Sequence, residues 1–182
     1  GNGTDNTAAI QKALDSLIAG QTLFFPVRGT GKYLITAPLL IPRGAAGSKG
    51  ITIRGCDWIH CQIVYVGTQV VPAVINMIGC DSVSWIDIAV LAWGDDPANF
   101  PKTVLMLGRT SADAYGHHVF NQCSFMGNCS VAVVYSIASE ENTYETVNLF
   151  ANNGKGFAGT SKHIYYTSYK DDLSICVPSV TT

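Results

Sequence analysis

Charge is what this chain has least of. Lysine and arginine together number 11 and aspartate and glutamate 13 among 182 residues, so 13% of side chains are charged against about 25% in an ordinary soluble domain. With a formal net charge of -2 there is no basic face to meet phosphates, which excludes a nucleic-acid binder. No uninterrupted apolar run reaches the roughly 18 residues of a membrane span, so no membrane insertion is expected. No basic stretch followed by an apolar one opens the chain, so no signal peptide is visible. It starts on Gly1 rather than Met, from which a processed or excised piece is expected. None of the six cysteines (Cys56, Cys61, Cys80, Cys123, Cys129 and Cys176) forms a C-x-x-C pair, which argues against zinc. Small buried thiols are expected in place of disulfides. Glutamate occurs only at Glu140, Glu141 and Glu145, a thin supply for surface helices.

What is present compensates. Apolar residues make up 47% of the chain, which together with the low net charge excludes disorder. The length suits one domain with a sizeable core. Val, Ile and Thr number 16, 15 and 15, and there are 18 Gly and 10 Asn. β-branched residues fit pleated surfaces, and Gly and Asn fit tight turns, so the body should be strand-rich.

One helix stands out, over residues 5–19. Ile10, Ala13, Leu14, Leu17 and Ile18 form an i, i+3, i+4 stripe opposite Gln11, Lys12, Asp15 and Ser16. Asp5 is the expected N-cap, with Thr4 and Asn6 as alternatives, and Gly20 the expected stop. Three short extended pieces follow at Thr22–Pro26, Lys32–Thr36 and Leu39–Pro42. From residue 51 the chain echoes itself. Ile53-Arg54-Gly55-Cys56-Asp57 resembles Met77-Ile78-Gly79-Cys80-Asp81 at an offset of 24, and Gln122–Asn128 resembles Thr146–Asn152 at the same offset. Ile86-Asp87-Ile88 fits the latter slot at an offset of 37, with an insertion around Trp93–Pro97. A period in the twenties favours a solenoid over a β-sandwich.

The run Gly1-Asn2-Gly3-Thr4-Asp5-Asn6-Thr7-Ala8-Ala9-Ile10-Gln11-Lys12-Ala13-Leu14 resembles the G-D-G-x-T-D-D-T-x-A-I-Q-x-A motif of the pectate-lyase superfamily. Leu23–Pro26, Tyr33–Ile35, Pro38–Pro42 and Ile51–Gly55 continue that pattern in order. The resemblance covers about the first third of the chain; Asn2 and Asn6 depart from it by replacing acids. It implies an all-β fold, a right-handed parallel β-helix with a short N-terminal capping α-helix. Residues 1–182 would form a single domain or fragment, with the cap and first strands in 1–50 and about five stacked coils in 51–182. It further implies a phage tailspike segment on the virion tail that binds host surface polysaccharide and assembles as a homotrimer. The alternative is a secreted polysaccharide-degrading enzyme, a glycosidase or, with less support, a lyase. The tail after Ser168, with Leu173, Ile175 and Val177, is a candidate cover for the open end of the stack.

Chemistry is sparsely signalled. His117 and His118 on a strand point to opposite faces and cannot share a metal, so no metal and no cofactor is expected. Aligning the repeats by the offsets above puts Asp87, Ser124 and Asn148 in one outward column and Trp85, Gln122 and Thr146 in another, with Ile86/Ile88, Cys123/Phe125 and Val147/Leu149 inward. Glu145 has inward parity unless it belongs to a turn. An aromatic face suits the apolar side of a sugar ring, so Trp85, Gln122, Ser124 and Asn148 are candidate substrate-binding residues. Asp87 and Glu145 are the candidate catalytic carboxylates, because glycoside hydrolysis uses two acids roughly 5 to 10 Å apart.

Overall fold

The computed structural model describes residues 3–27, 29–42, 50–94, 96–108, 116–151 and 156–167. The expected cover by the tail after Ser168 lies outside these residues. Helix α1 spans Thr7–Asp15, shorter at both ends than the stripe suggests. Ile10 and Leu14 are buried, whereas Ile18 is 67% exposed, because the chain has left the helix before reaching it. Asp5 does the capping from one residue further out than expected: its Oδ1 accepts hydrogen bonds from the Thr7 N–H at 2.9 Å and the Thr7 hydroxyl at 2.6 Å. Gly20 then supplies the left-handed turn, with φ of 83°.

Fourteen strands make up the rest of the described body. They are β1 (Thr22–Phe24), β2 (Lys32–Ile35), β3 (Leu39–Leu40), β4 (Thr52–Arg54), β5 (Gln62–Tyr65), β6 (Ile75–Ile78), β7 (Ser84–Ile86), β8 (Ala89–Ala92), β9 (Thr103–Gly108), β10 (Val119–Asn121), β11 (Ser124–Gly127), β12 (Ala132–Glu145), β13 (Asn148–Ala151) and β14 (Phe157–Thr167). Every pairing among them is parallel, and as far as β9 each strand pairs with the third one after it. Three ladders result. Two of them merge where long β12 runs through both, pairing β9 with its first half and β10 with its last residues. No antiparallel hairpin joins residues 83–90 to 118–126, as a sandwich would need; β7 with β10 and β8 with β11 are parallel. The arrangement is all-β apart from the helix and is consistent with a parallel β-helix.

The echo of residues 53–57 in 77–81 does not mark stacked positions: β4 pairs with β7 and β6 with β9. Cys56 and Cys80 therefore do not stack. The echo of 122–128 in 146–152 is genuine, since Ser124 pairs with Asn148 and Gly127 with Ala151.

The core fills the space between the ladders. Ile53, Trp85, Phe120 and Tyr144 occupy matched positions on β4, β7, β10 and β12. The Phe120 and Tyr144 rings stack at 4.9 Å, and Phe125 meets the edges of both Phe120 and Trp85. The helix closes one end. Its Gln11 amide donates to the Leu40 carbonyl and accepts from the Leu40 N–H, both at 2.8 Å, standing in for a strand on the open edge of β3. The backbone at Asp5 bridges to Leu34 on β2, the Asn6 N–H donating to the Leu34 carbonyl at 2.8 Å. Edge groups that would otherwise lack partners are thereby satisfied.

Candidate functional site

The corner between the first and second ladders collects the polar side chains. It is made by a column of residues that immediately follow β7, β10 and the β10-paired end of β12, namely Asp87, Gln122 and Thr146. Their φ angles are 55°, 49° and 52°, in the left-handed region that a non-glycine side chain enters at a cost. The Asp87 N–H donates to the Asn121 carbonyl and the Gln122 N–H to the Glu145 carbonyl, so the corner is stacked in register from strand to strand.

This geometry corrects the expected columns. Asp87 aligns with Gln122, not with Ser124, because the spacing of β7 to β10 is 35 residues (Ser84 pairs with Val119) and not 37. Ser124 pairs instead with Ala89 of β8 on one side and Asn148 of β13 on the other. Ser124 is fully buried and Asn148 is exposed. Trp85 is 1% exposed and packs inward, so it offers no platform to a sugar. Glu145 is exposed at the end of β12 and points outward, the opposite of its expected strand parity. Alternation does not run through the corner: Asp87 separates Trp85 from β8, and Thr146 separates Glu145 from Asn148 on β13.

Two further residues belong to the corner. Arg54, Ile86, Asn121 and Glu145 lie at matched positions on neighbouring strands. The Asn121 Nδ2 donates to Glu145 Oε2 at 2.8 Å, and Arg54 Nη2 stands 3.6 Å from Asp87 Oδ2. With the Arg54 side chain 54% exposed, that ion pair adds little to stability and leaves the guanidinium reachable. Neither Arg54 nor Asn121 emerges from the sequence reading. Matching Trp85 with Phe120 and Tyr144 as one inward aromatic column would have found Asn121, one residue beyond Phe120; Arg54 follows Ile53, which continues that column without an aromatic ring to mark it.

Two Asp–His pairs lie elsewhere. His60 Nδ1 is 2.9 Å from Asp57 Oδ2, and His117 Nδ1 is 3.3 Å from Asp81 Oδ1. Hydrogen bonds from the His60 side chain hold the Asp57 carboxyl below its ordinary value. His117 is exposed and His118 buried, so the two rings do face opposite ways. Among the described residues no group of three or more His, Cys, Asp or Glu side chains is placed to hold a metal, and no helix is long and apolar enough to cross a membrane. Of the aromatic residues beside the loops, Trp93 is 42% exposed, while Trp58 packs half-buried on Val64, Ala89 and Leu91. No family model, no curated protein and no solved structure matches the chain.

Proposed function

We propose that this chain is a segment of a right-handed parallel β-helix of tailspike type that binds surface polysaccharide along the Arg54–Asp87–Asn121–Gln122–Glu145 corner. The handedness rests on the strong preference of parallel crossovers for the right-handed turn. The observation that carries the binding reading is the register of the corner: the polar side chains of Asp87, Gln122 and Thr146 recur at the same point of successive strands, half-buried at Asp87 and exposed at Gln122 and Thr146. Neighbouring strands are about 4.8 Å apart, so the corner presents a repeating row of polar groups suited to the repeating hydroxyls of an extended polymer. A homotrimer on a virion tail goes with this reading, and light scattering of the intact parent protein tests it.

A glycosidase is the second reading, favoured by the presence of two carboxylates on one corner. Asp87 and Glu145 are two strands apart, about 10 Å before side-chain reach is counted, at the far limit for an inverting pair. One experiment separates the readings. A panel of bacterial surface polysaccharides is tested for binding and for release of reducing ends, with Asn121→Ala, Gln122→Ala and Asp87→Asn beside the parent. Binding weakened by the alanine variants without product release supports a binding segment, and product release lost in Asp87→Asn supports hydrolysis. Unchanged binding in all three removes the corner from consideration.

A further inference from the structure

In the rungs formed by β7 and β10, a single left-handed residue (Asp87, Gln122) is followed at once by an inward one (Ile88, Cys123). The rung of β4 differs. Gly55 occupies the corner position, its N–H donating to the Ile86 carbonyl, and Cys61 occupies the inward position, its carbonyl accepting from the Ala89 N–H. Residues 56–60 are inserted between them. The insert leaves and re-enters at nearly one point: a Cβ placed on Gly55 would clash with the Asp87 carbonyl oxygen and lie 2.7 Å from the Cys61 Cβ, which is why only glycine fits there. A cysteine opens the insert, Cys56, and another, Cys61, receives the chain as it re-enters the rung. The Cys56 N–H donates to the Cys61 Sγ at 3.2 Å, and the Cys61 and Cys56 sulfurs reach the same Phe25 carbonyl oxygen at 3.2 and 4.0 Å. Cys56 is exposed and Cys61 is buried.

We infer that Cys56 and Cys61 form a redox-closed staple at the base of this corner insert, with a hydroperoxide as the oxidant. The exposed Cys56 sulfur attacks the peroxide, forming an S–O bond as the O–O bond breaks, and the sulfenic acid forms with loss of one water. The Cys61 sulfur then attacks the Cys56 sulfur. The S–S bond forms, the S–O bond breaks, and the departing hydroxide leaves as a second water with the Cys61 proton. Two thiols and one hydroperoxide thus give one disulfide and two waters, or water and an alcohol for an alkyl hydroperoxide. Closure is local, because both sulfurs already reach the same Phe25 carbonyl oxygen. It fixes the insert that carries the Asp57–His60 pair and lays Trp58 over the outer face of β5 and β8.

The test uses the folded full chain, treated with hydrogen peroxide, blocked with N-ethylmaleimide, digested and mapped by mass spectrometry. A peptide joining Cys56 to Cys61, lighter by two hydrogens and reverting with dithiothreitol, is the expected product. In Cys61→Ser the oxidation halts at the Cys56 sulfenic acid, which a dimedone probe traps severalfold more than in the parent. If the parent gives Cys56 sulfinic acid with Cys61 still alkylated, or a Cys56 disulfide to any other cysteine, the staple does not exist. Equal dimedone trapping in parent and variant overturns it as well.

Discussion

Acidification from neutral pH should destabilise the fold through one side chain, His118. Its ring is fully buried at the start of β10, with Nδ1 accepting the Val83 N–H at 3.2 Å and the Phe120 ring 6.3 Å away. The ring is therefore neutral, with its proton on Nε2, which has no partner among the described residues. Burial lowers its pKa from 6.5 to about 4, against an opposing pull from the Asp81 carboxylate and with a small further push from His117. Between those two values the unfolded chain binds the proton and the folded chain refuses it. The stabilisation is whole above pH 6.5 and drains away as the pH falls toward 4. The full difference is about 3 kcal/mol, and most of it is gone by roughly pH 4.5. Urea unfolding at a series of pH values reads this directly. His118→Gln keeps an acceptor for the Val83 N–H and removes the titration, so the variant should lose that slope while other groups keep theirs. A parent protein equally stable at about pH 7 and pH 4.5, or a variant with the same slope as the parent, would refute the burial argument.

Other outcomes follow from single side chains. Tyr144→Phe should raise stability by about 1 kcal/mol in chemical denaturation, because the Tyr144 hydroxyl is buried without a partner among the described residues while its ring stacks on Phe120. Thr146→Asn should add about 0.5 to 1 kcal/mol, since a β-branched residue at a φ of 52° is strained where asparagine is tolerated; an unchanged midpoint would count against corner strain. Asp5, held at about 2 by hydrogen bonds from Thr36 and Thr7, stabilises the helix cap above its unfolded value of 3.8. That contribution is lost as the pH falls from 3.8 toward 2, and Asp5→Asn should abolish it in thermal melts over that window.

The parts of the fold governed by local chemistry were legible in the sequence. The Ile10–Leu14 stripe, the extended pieces at residues 22, 32 and 39 and the genuine echo between residues 122 and 146 all depend on neighbours close in the chain. Register across the unequal rungs was not legible. Offsets of 35 and 37 residues both keep the parity of the strand, so alternation alone cannot choose between them. The choice is made by tertiary packing, where Trp85, Phe120 and Tyr144 stack into one inward column. The error of two carried Asp87 from the corner into a strand, Trp85 from the core to the surface, and hid Arg54 and Asn121. Aromatic residues in a repeat thus locate register better than short β-branched echoes, whose partners are interchangeable.

The unequal lengths of the rungs have a consequence for how the chain finds its structure. Between Val119 and its partner Thr143 the path is 24 residues, and between Ser84 and Val119 it is 35. Closure entropy grows only as the logarithm of length, so the longer path costs about 0.3 kcal/mol more than the shorter. Such a difference is too small to decide where pairing begins. Early burial of apolar surface decides it instead, and Trp85, Phe120, Phe125 and Tyr144 supply a cluster of large rings already in contact. Folding should then start in the middle of the chain and spread by accretion toward both ends, with the α1 lid docking late onto an edge already formed.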